Sequence, residues 1–278
     1  MKKQQFILIG SGIILFCLIY FFGKTIPPKT NISQPASENA NLDITTILSA
    51  SKAQLTNQQQ LIVSQLESSV VRGDTKNQQA LIYRQLASFY KDSAHLLLPY
   101  AHYTGQAAEL ENSEKSLTFA ARFFLESLRQ QNDPELKRWM GTEAKKLFEK
   151  ALLLNPGNDS LKIGLGSCYI FGNISDNPME GIQMIREVAE RDPNNMYAQL
   201  TLGMGAMVSG QLDKAIERLS AVIKNQPDNL EVMVILAEAF EQKGDNANAI
   251  KWYESSKKLI DNPDINSEID KRIRLLKQ

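Results

Sequence analysis

Apolar residues recur every three or four positions through most of the chain from residue 43 onward, which is the period of an amphipathic helix. In one early segment, Ala80, Tyr83, Leu86 and Tyr90 fall on a single helical stripe. Near the end of the chain, another apolar stripe runs through residues 265–276 among charged side chains. Short turns with glycine, proline or asparagine separate such stripes, so the pattern predicts an all-α fold.

The first 42 residues follow a different pattern. Residues 6–22 contain no charged side chain, follow Lys2 and Lys3, and are just long enough to cross a bilayer core. A secretory signal peptide is the alternative, but no small-residue cleavage site follows the run, so we expect a transmembrane signal-anchor helix at 6–23. The segment 24–42 is rich in proline, serine and asparagine, which predicts a flexible linker.

The lysines that precede the apolar run give the expected orientation. Positive residues are more frequent on the cytoplasmic side of a span. We therefore expect residues 1–5 in the cytoplasm, a single pass through the inner membrane of a bacterium, and a periplasmic body. The lipid bilayer would then be one partner of the chain, through the N-terminal helix.

The clearest internal regularity lies between Pro156 and Pro263, where similar residue types recur 34 positions apart. The equivalent pairs are Gly210 and Gly244, Ala215 and Ala249, and Leu219 and Tyr253. Small residues let paired helices approach closely, and a glycine commonly ends a helix in a left-handed conformation. The period and the residue types resemble the tetratricopeptide repeat (TPR), a helix-turn-helix unit of that length.

The resemblance implies right-handed stacking of helix pairs into a solenoid over residues 116–263. The units are 116–156, which is irregular, 159–193, 196–227 and 230–263. A divergent helical region at 43–115 precedes the repeats, and a capping helix at 264–278 follows them. The residues expected to pack within and between repeats are Gly166, Gly181, Gly203, Gly210, Ala215, Pro227, Ala237, Gly244, Ala249 and Tyr253. Extra residues at 131–141 must loop out or lengthen the helices of the irregular unit.

Composition argues against several classes of chemistry. Lys plus Arg equals Asp plus Glu at 31 each, so no basic field attracts nucleic acid. The two histidines, His95 and His102, and the two cysteines, Cys17 and Cys168, form no metal-binding motif. No phosphate-binding loop or acid–base pair stands out. We therefore expect no cofactor, no metal, no nucleic acid partner and no enzymatic activity.

The expected functional surface is the concave wall of the solenoid, which the resemblance assigns to the first helix of each repeat. Its predicted residues are Ile163, Ser167, Ile170, Phe171, Leu200, Met204, Met207, Val208, Val234 and Glu238. Methionine suits adaptable binding surfaces, so a protein or peptide partner is expected there. In an alternative arrangement, the inserted segments or the N-terminal helices fold over this wall and make it core. First-helix positions lack the basic residues that would hold a terminal carboxylate.

These features together favour a membrane-anchored TPR adaptor or scaffold in a bacterial cell envelope. Two alternatives share the fold. In one, the body assembles with copies of itself through its apolar wall. In the other, the scaffold faces the cytosol. An enzyme is the weakest option, because the sequence displays no catalytic constellation.

Overall fold

The computed structural model describes residues 43–72, 75–175 and 177–278. These residues form thirteen α-helices and no β-strand. The N-terminal helices are α1 (Ile44–Ala53), α2 (Asn57–Arg72), α3 (Lys76–Ser88) and α4 (Leu97–Glu111), with a π-helical turn at Phe89–Ser93. The others are α5 (Glu114–Arg129), α6 (Pro134–Leu154), α7 (Asp159–Phe171), α8 (Met179–Arg191), α9 (Met196–Val208), α10 (Leu212–Asn225), α11 (Leu230–Lys243), α12 (Asn246–Lys257) and α13 (Pro263–Leu276).

Consecutive helices pack as pairs: α3 with α4, α5 with α6, α7 with α8, α9 with α10, and α11 with α12. The second helix of each pair then contacts the first helix of the next pair, and α13 packs against α12. The first helices α5, α7 and α9 also contact one another in order. The described chain is therefore an all-helical, TPR-like solenoid.

Asparagine side chains begin three of the first helices. Asn158 accepts a hydrogen bond from the Ser160 amide at 3.0 Å, and Asn195 accepts one from the Ala198 amide at the same distance. Asn229 caps α11 in the same way. These bonds satisfy backbone donors that have no partner inside the helix. The first helices of three successive repeats therefore begin at equivalent asparagine residues.

Small residues allow the close approach of the helices within a pair. A Cβ atom on Gly166 of α7 would lie 2.6 Å from the carbonyl oxygen of Gly181 on α8. On α9, a Cβ atom on Gly203 would lie 3.0 Å from Leu219 Cγ. Ala215, Ala237 and Ala249 are fully buried, and Tyr253 is 5% exposed.

Left-handed glycines and a proline mark the turns of the regular repeats. Gly210 follows α9 with φ +72°, and Gly244 ends α11 with φ +83°; glycine adopts this region without steric cost. Pro227 is exposed in the turn after α10. Glycine therefore marks the turn within a helix pair, and proline marks the turn between two pairs, where it cannot continue the helix.

The irregular pair α5–α6 absorbs its extra residues by lengthening the second helix. Asp133 caps α6 by accepting hydrogen bonds from the Glu135 and Leu136 amides, and Pro134 occupies the first turn. Proline is well suited to this place because its missing N–H would have no partner there. Phe124 and Phe148 fill the core between α5 and α6 and are each 1% exposed.

The predicted membrane location is contradicted. In the part of the chain that the structure describes, none of the helices is both long enough and apolar enough to cross a bilayer. The longest of them, α6, carries charged side chains along its length. The predicted anchor at 6–23 and linker at 24–42 lie outside the described residues. A single-pass location with a periplasmic body is therefore withdrawn, and so is the lipid bilayer as a partner.

Candidate functional site

A pocket of about 240 Å³ opens between the first helices of the four consecutive pairs from α5 to α12. Its lining consists of Arg122, Leu125, Glu126 and Arg129 of α5, Ser167 and Phe171 of α7, Tyr197, Leu200, Thr201 and Met204 of α9, and Glu231 of α11. We call this space the concave pocket. It lies on the side of the solenoid formed by the first helices.

The floor of the concave pocket is apolar. Phe171, Leu200 and Met204 are each half-buried, so part of each side chain remains open to a ligand. Tyr197 exposes 40% of its surface, yet burial raises the pKa of its phenol, against the opposing effect of Arg122 and Arg129. The tyrosine therefore keeps part of its surface exposed, while its phenol lies in a partly desolvated environment.

An ion pair crosses the rim of the concave pocket. A guanidinium nitrogen of Arg129 on α5 lies 3.1 Å from Glu231 Oε1 on α11, across 102 positions of sequence. The same nitrogen lies 3.5 Å from the sulfur of Met204. The two charged side chains are 38% and 53% exposed, so water screens their attraction. Arg129 thus covers part of the apolar floor while remaining accessible from solvent.

Two of the hydroxyl groups in the floor donate hydrogen bonds within their own helices. Thr201 donates to the Tyr197 carbonyl oxygen at 2.8 Å, and Ser167 donates to the Ile163 carbonyl oxygen at the same distance. Both residues are under 5% exposed. The polar recognition available to a ligand therefore comes mainly from the charged rim.

Groups with strongly shifted pKa values elsewhere do not line the pocket. Burial lowers the pKa of His102 on α4 to about 4, and burial raises the pKa of the Cys168 thiol on α7. Among the residues that the structure describes, no cluster of three or more His, Cys, Asp or Glu could hold a metal ion. The concave pocket presents apolar surface and charged side chains.

Residues 200–262 match the sequence profile of the Tetratricopeptide repeat family. This match covers most of α9 and all of α10, α11 and α12. No curated protein matches the chain. The TPR assignment of the C-terminal repeats therefore has sequence support independent of the fold.

Solved structures with a similar fold include TPR proteins. One is YrrB, described as a TPR protein with an unusual peptide-binding site. It is 17% identical to this chain, with a TM-score of 0.42, and the alignment covers 84% of this chain and 100% of YrrB. Another is a MamA protein, 15% identical with a TM-score of 0.42, over 65% of this chain and 91% of that one. A MamA fragment from Desulfovibrio magneticus RS-1 is 19% identical, with the same TM-score, and the alignment covers 67% of this chain and 96% of that fragment.

The structure brings together four of the ten residues predicted for the concave face: Ser167, Phe171, Leu200 and Met204. Ile163 is fully buried in a core cluster of α7, α8 and α9, against which Ile170 also packs. Met207 packs against the core cluster of α10 and α11. Val208 is 70% exposed at the end of α9. Val234 is half-buried and Glu238 is exposed on α11, and neither lines the concave pocket.

The charged rim is what sequence reasoning missed. Arg122 and Arg129 of α5 both line the concave pocket, contrary to the expectation that first-helix positions lack basic residues. The available signal was their spacing, because residues seven apart lie on one face of a helix. The repeat pattern does not show which residues of α5 face the concave side, because α5 belongs to the irregular unit.

Proposed function

We propose that the chain is a protein-binding scaffold whose concave pocket takes an apolar side chain from a segment of a partner protein. The observation that carries this proposal is the half-open apolar floor formed by Phe171, Leu200 and Met204 between four repeats. Apolar surface surrounded by charged groups is the usual arrangement of an interface centre and its rim. The TPR match at residues 200–262 supports the same reading.

The composition of the floor suits recognition of a flexible segment. Met204 has an unbranched, polarizable side chain that can adjust to different apolar partners. Phe171 and Tyr197 supply aromatic area, which contributes strongly at interfaces because it buries much surface at small entropic cost. Binding would therefore depend on the floor as a unit, with Met204 at its centre against the Arg129 side chain.

Self-assembly through another surface is a second candidate function. The terminal helix α13 leaves two large apolar side chains in solvent, Ile265 at 49% and Leu275 at 65% exposure. An apolar end of a solenoid can stack against a second copy. Light scattering during size-exclusion chromatography of the full chain distinguishes the two functions, because a monomer at micromolar concentration contradicts self-assembly as the main role.

The proposed function is tested by an unbiased selection. A random twelve-residue peptide library displayed on phage is selected against the purified full chain, and the enriched peptides are synthesised and titrated. We expect Met204→Glu to weaken their binding at least about tenfold, since a charge in a desolvated contact typically costs about 2 kcal/mol or more. Val208→Glu is the matched control, because it places the same charge on the same helix outside the pocket.

Circular dichroism melting of both variants accompanies the titrations and shows whether each remains folded. If Met204→Glu keeps its fold and binds the enriched peptides as tightly as the original chain, the concave pocket is not the binding surface. If Val208→Glu alone loses binding, the surface lies at the end of α9 instead.

A further inference from the structure

One ion pair joins two helices at opposite ends of the concave pocket. Arg129 is the last residue of α5, and Glu231 lies in the first turn of α11. Their charged groups are 3.1 Å apart, although the pairs α7–α8 and α9–α10 lie between these two helices along the chain. We call Arg129 and Glu231 the rim pair. Because α5, α7, α9 and α11 contact one another in order, the rim pair closes a ring of four first helices.

The rim pair lies over the methionine of the pocket floor. The guanidinium nitrogen of Arg129 that contacts Glu231 is also 3.5 Å from the sulfur of Met204. Met204 is half-buried, so its thioether group is reached from the pocket side. An apolar side chain that packs on this thioether group must displace the guanidinium group. The displaced guanidinium group then separates from Glu231, so entry of the ligand and opening of the rim pair are the same event.

Opening the rim pair costs little. Its side chains are partly exposed, and ion pairs of this kind favour the joined state by no more than about fivefold. Each charge is also stabilised by its own helix. Arg129 lies at the negative C-terminal end of α5, and Glu231 lies at the positive N-terminal end of α11. The joined and the separated arrangement are therefore close in free energy, as a reversible cover requires.

A second ion pair of the concave pocket stays within one helix. Arg122 lies 3.8 Å from Glu126, four residues further along α5, and both side chains are 65% exposed. Because both residues belong to α5, their attraction does not constrain the distance between α5 and α11. This second pair therefore provides matched controls, with the same charges in the same pocket but without the connection across it.

We propose that the rim pair regulates the concave pocket: when joined it covers Met204 and excludes an apolar ligand, and when separated it admits one. This inference rests on the proposed function, because it concerns entry into the same pocket. The affinity for the ligand is then reduced by the fraction of molecules in which the pair is separated. Salt screens the attraction between the two charges and raises that fraction. Removal of either charge therefore strengthens binding, whereas removal of a charge that contacts the ligand weakens it.

Oxidation of methionine by hydrogen peroxide tests the cover without a ligand. The full chain is treated with dilute peroxide, and the sulfoxide at each methionine is followed by mass spectrometry of proteolytic fragments. We expect Met204 to oxidise about two- to fivefold faster in Arg129→Gln and in Glu231→Gln. The double variant should react as fast as either single variant, because one change already opens the pair. Peroxide is uncharged, so sodium chloride should accelerate Met204 oxidation only where the rim pair is intact.

Three controls accompany the oxidation rates. Arg122→Gln removes a pocket arginine outside the rim pair and should leave the Met204 rate unchanged. Met207, which packs against the core of α10 and α11, and Met233, which is 7% exposed, report any loosening of the fold. An unchanged Met204 rate in both single variants of the rim pair overturns the inference. Equal acceleration at Met204, Met207 and Met233 also overturns it, because the variants would then act through unfolding.

Titration with the peptides enriched by the unbiased selection then tests the regulation of binding. We expect Glu231→Gln to tighten binding by about two- to fivefold. Glu126→Gln is the control, because it removes the same charge from the same pocket without opening the rim pair, and it should leave the affinity unchanged. Equal or weaker binding by Glu231→Gln, or equal tightening by both variants, overturns the regulation. If the selection enriches no peptide, the proposed function fails with it, while the oxidation rates still decide whether the rim pair covers Met204.

Discussion

His102 lies on α4, where burial and the nearby Lys146 lower its pKa to about 4, while Glu109 acts in the opposite direction. An unfolded histidine has a pKa of about 6.5. Between these two values the unfolded chain binds a proton that the folded chain does not. The contribution of neutral His102 to the free energy of unfolding is therefore fully present above about pH 6.5 and is lost as the pH falls toward 4.

We expect His102→Gln to remove part of this acid sensitivity. For the original chain, the gap between the two pKa values corresponds to a loss on the order of 3 kcal/mol when the pH falls from 7 to 4. Urea unfolding at several pH values measures the loss in each protein. The control is His95→Gln, because His95 is the other histidine and is exposed. Identical acid sensitivity in the original chain and both variants would contradict the assignment to His102.

Met204 and Met207 show what sequence can and cannot predict at the scale of one residue. Both were expected on the concave face because the resemblance assigns that face to the first helix of each repeat. Three residues turn a helix by about 300°, so their directions differ by about 60°. That difference places Met204 in the concave pocket and Met207 against the core of α10 and α11. Substituting both would mix an effect on binding with an effect on packing.

At the scale of helix pairs, the closest backbone approach that we describe joins α7 and α8. A Cβ atom on Gly166 would meet the Gly181 carbonyl oxygen at 2.6 Å and Ile185 Cγ1 at 2.7 Å. Because backbone lines this contact, the clash cannot be relieved by turning one flexible side chain. The interface between these two helices therefore depends on the absence of a side chain.

Gly166→Ala should destabilise the chain by about 1 to 3 kcal/mol, although alanine ordinarily favours a helix. Gly205→Ala on α9 is the matched control, because its new Cβ atom would come no closer than 3.3 Å to Ile170. We expect this second variant to melt within a few degrees of the original chain. Thermal melting followed by circular dichroism measures both. Equal melting temperatures for the two variants would show that α7 and α8 can separate without cost.

The regular repeats were predictable as elements, and the irregular one was predictable only in part. Residues 34 positions apart placed the helix pairs α9–α10 and α11–α12, because small residues and turn glycines must recur where helices touch. For 131–141, sequence allowed either a loop or longer helices, and the structure lengthens α6 from Pro134. Which residues of α5 face the concave side could not be predicted without knowing whether 131–141 is loop or helix. Arg122 and Arg129 were therefore not recognised as pocket residues, although their helix was expected.

For the molecule as a whole, buried residues form separate clusters along the solenoid. Phe124 and Phe148 belong to the cluster of α4, α5, α6 and α7. Leu219 and Leu236 belong to the cluster of α10 and α11. In a repeat protein, stability is approximately a sum of such local units and their interfaces. Damage to one cluster should therefore open its own repeats before the others.

Ala215→Glu tests this modular stability. Ala215 is fully buried on α10, so the new carboxylate would lack water and a partner, at a cost of about 3 kcal/mol. We expect amide hydrogen exchange to accelerate in α9, α10, α11 and α12 and to remain slow in α5 and α6. Mass spectrometry of peptic fragments measures each region. Uniform acceleration through all helices would mean that the body unfolds as one cooperative unit.

The central claim is that a partner segment contacts the floor of the concave pocket, and the ε-methyl group of Met204 reports that contact directly. The full chain, labelled with ¹³C at its methionine methyl groups, is titrated with the peptides enriched by unbiased selection, and methyl NMR spectra are recorded. We expect the Met204 signal to move, while the signals of Met140 and Met233, which are 1% and 7% exposed, stay in place. Saturable binding that leaves Met204 unchanged and moves Met179, which is 52% exposed on α8, would contradict the account.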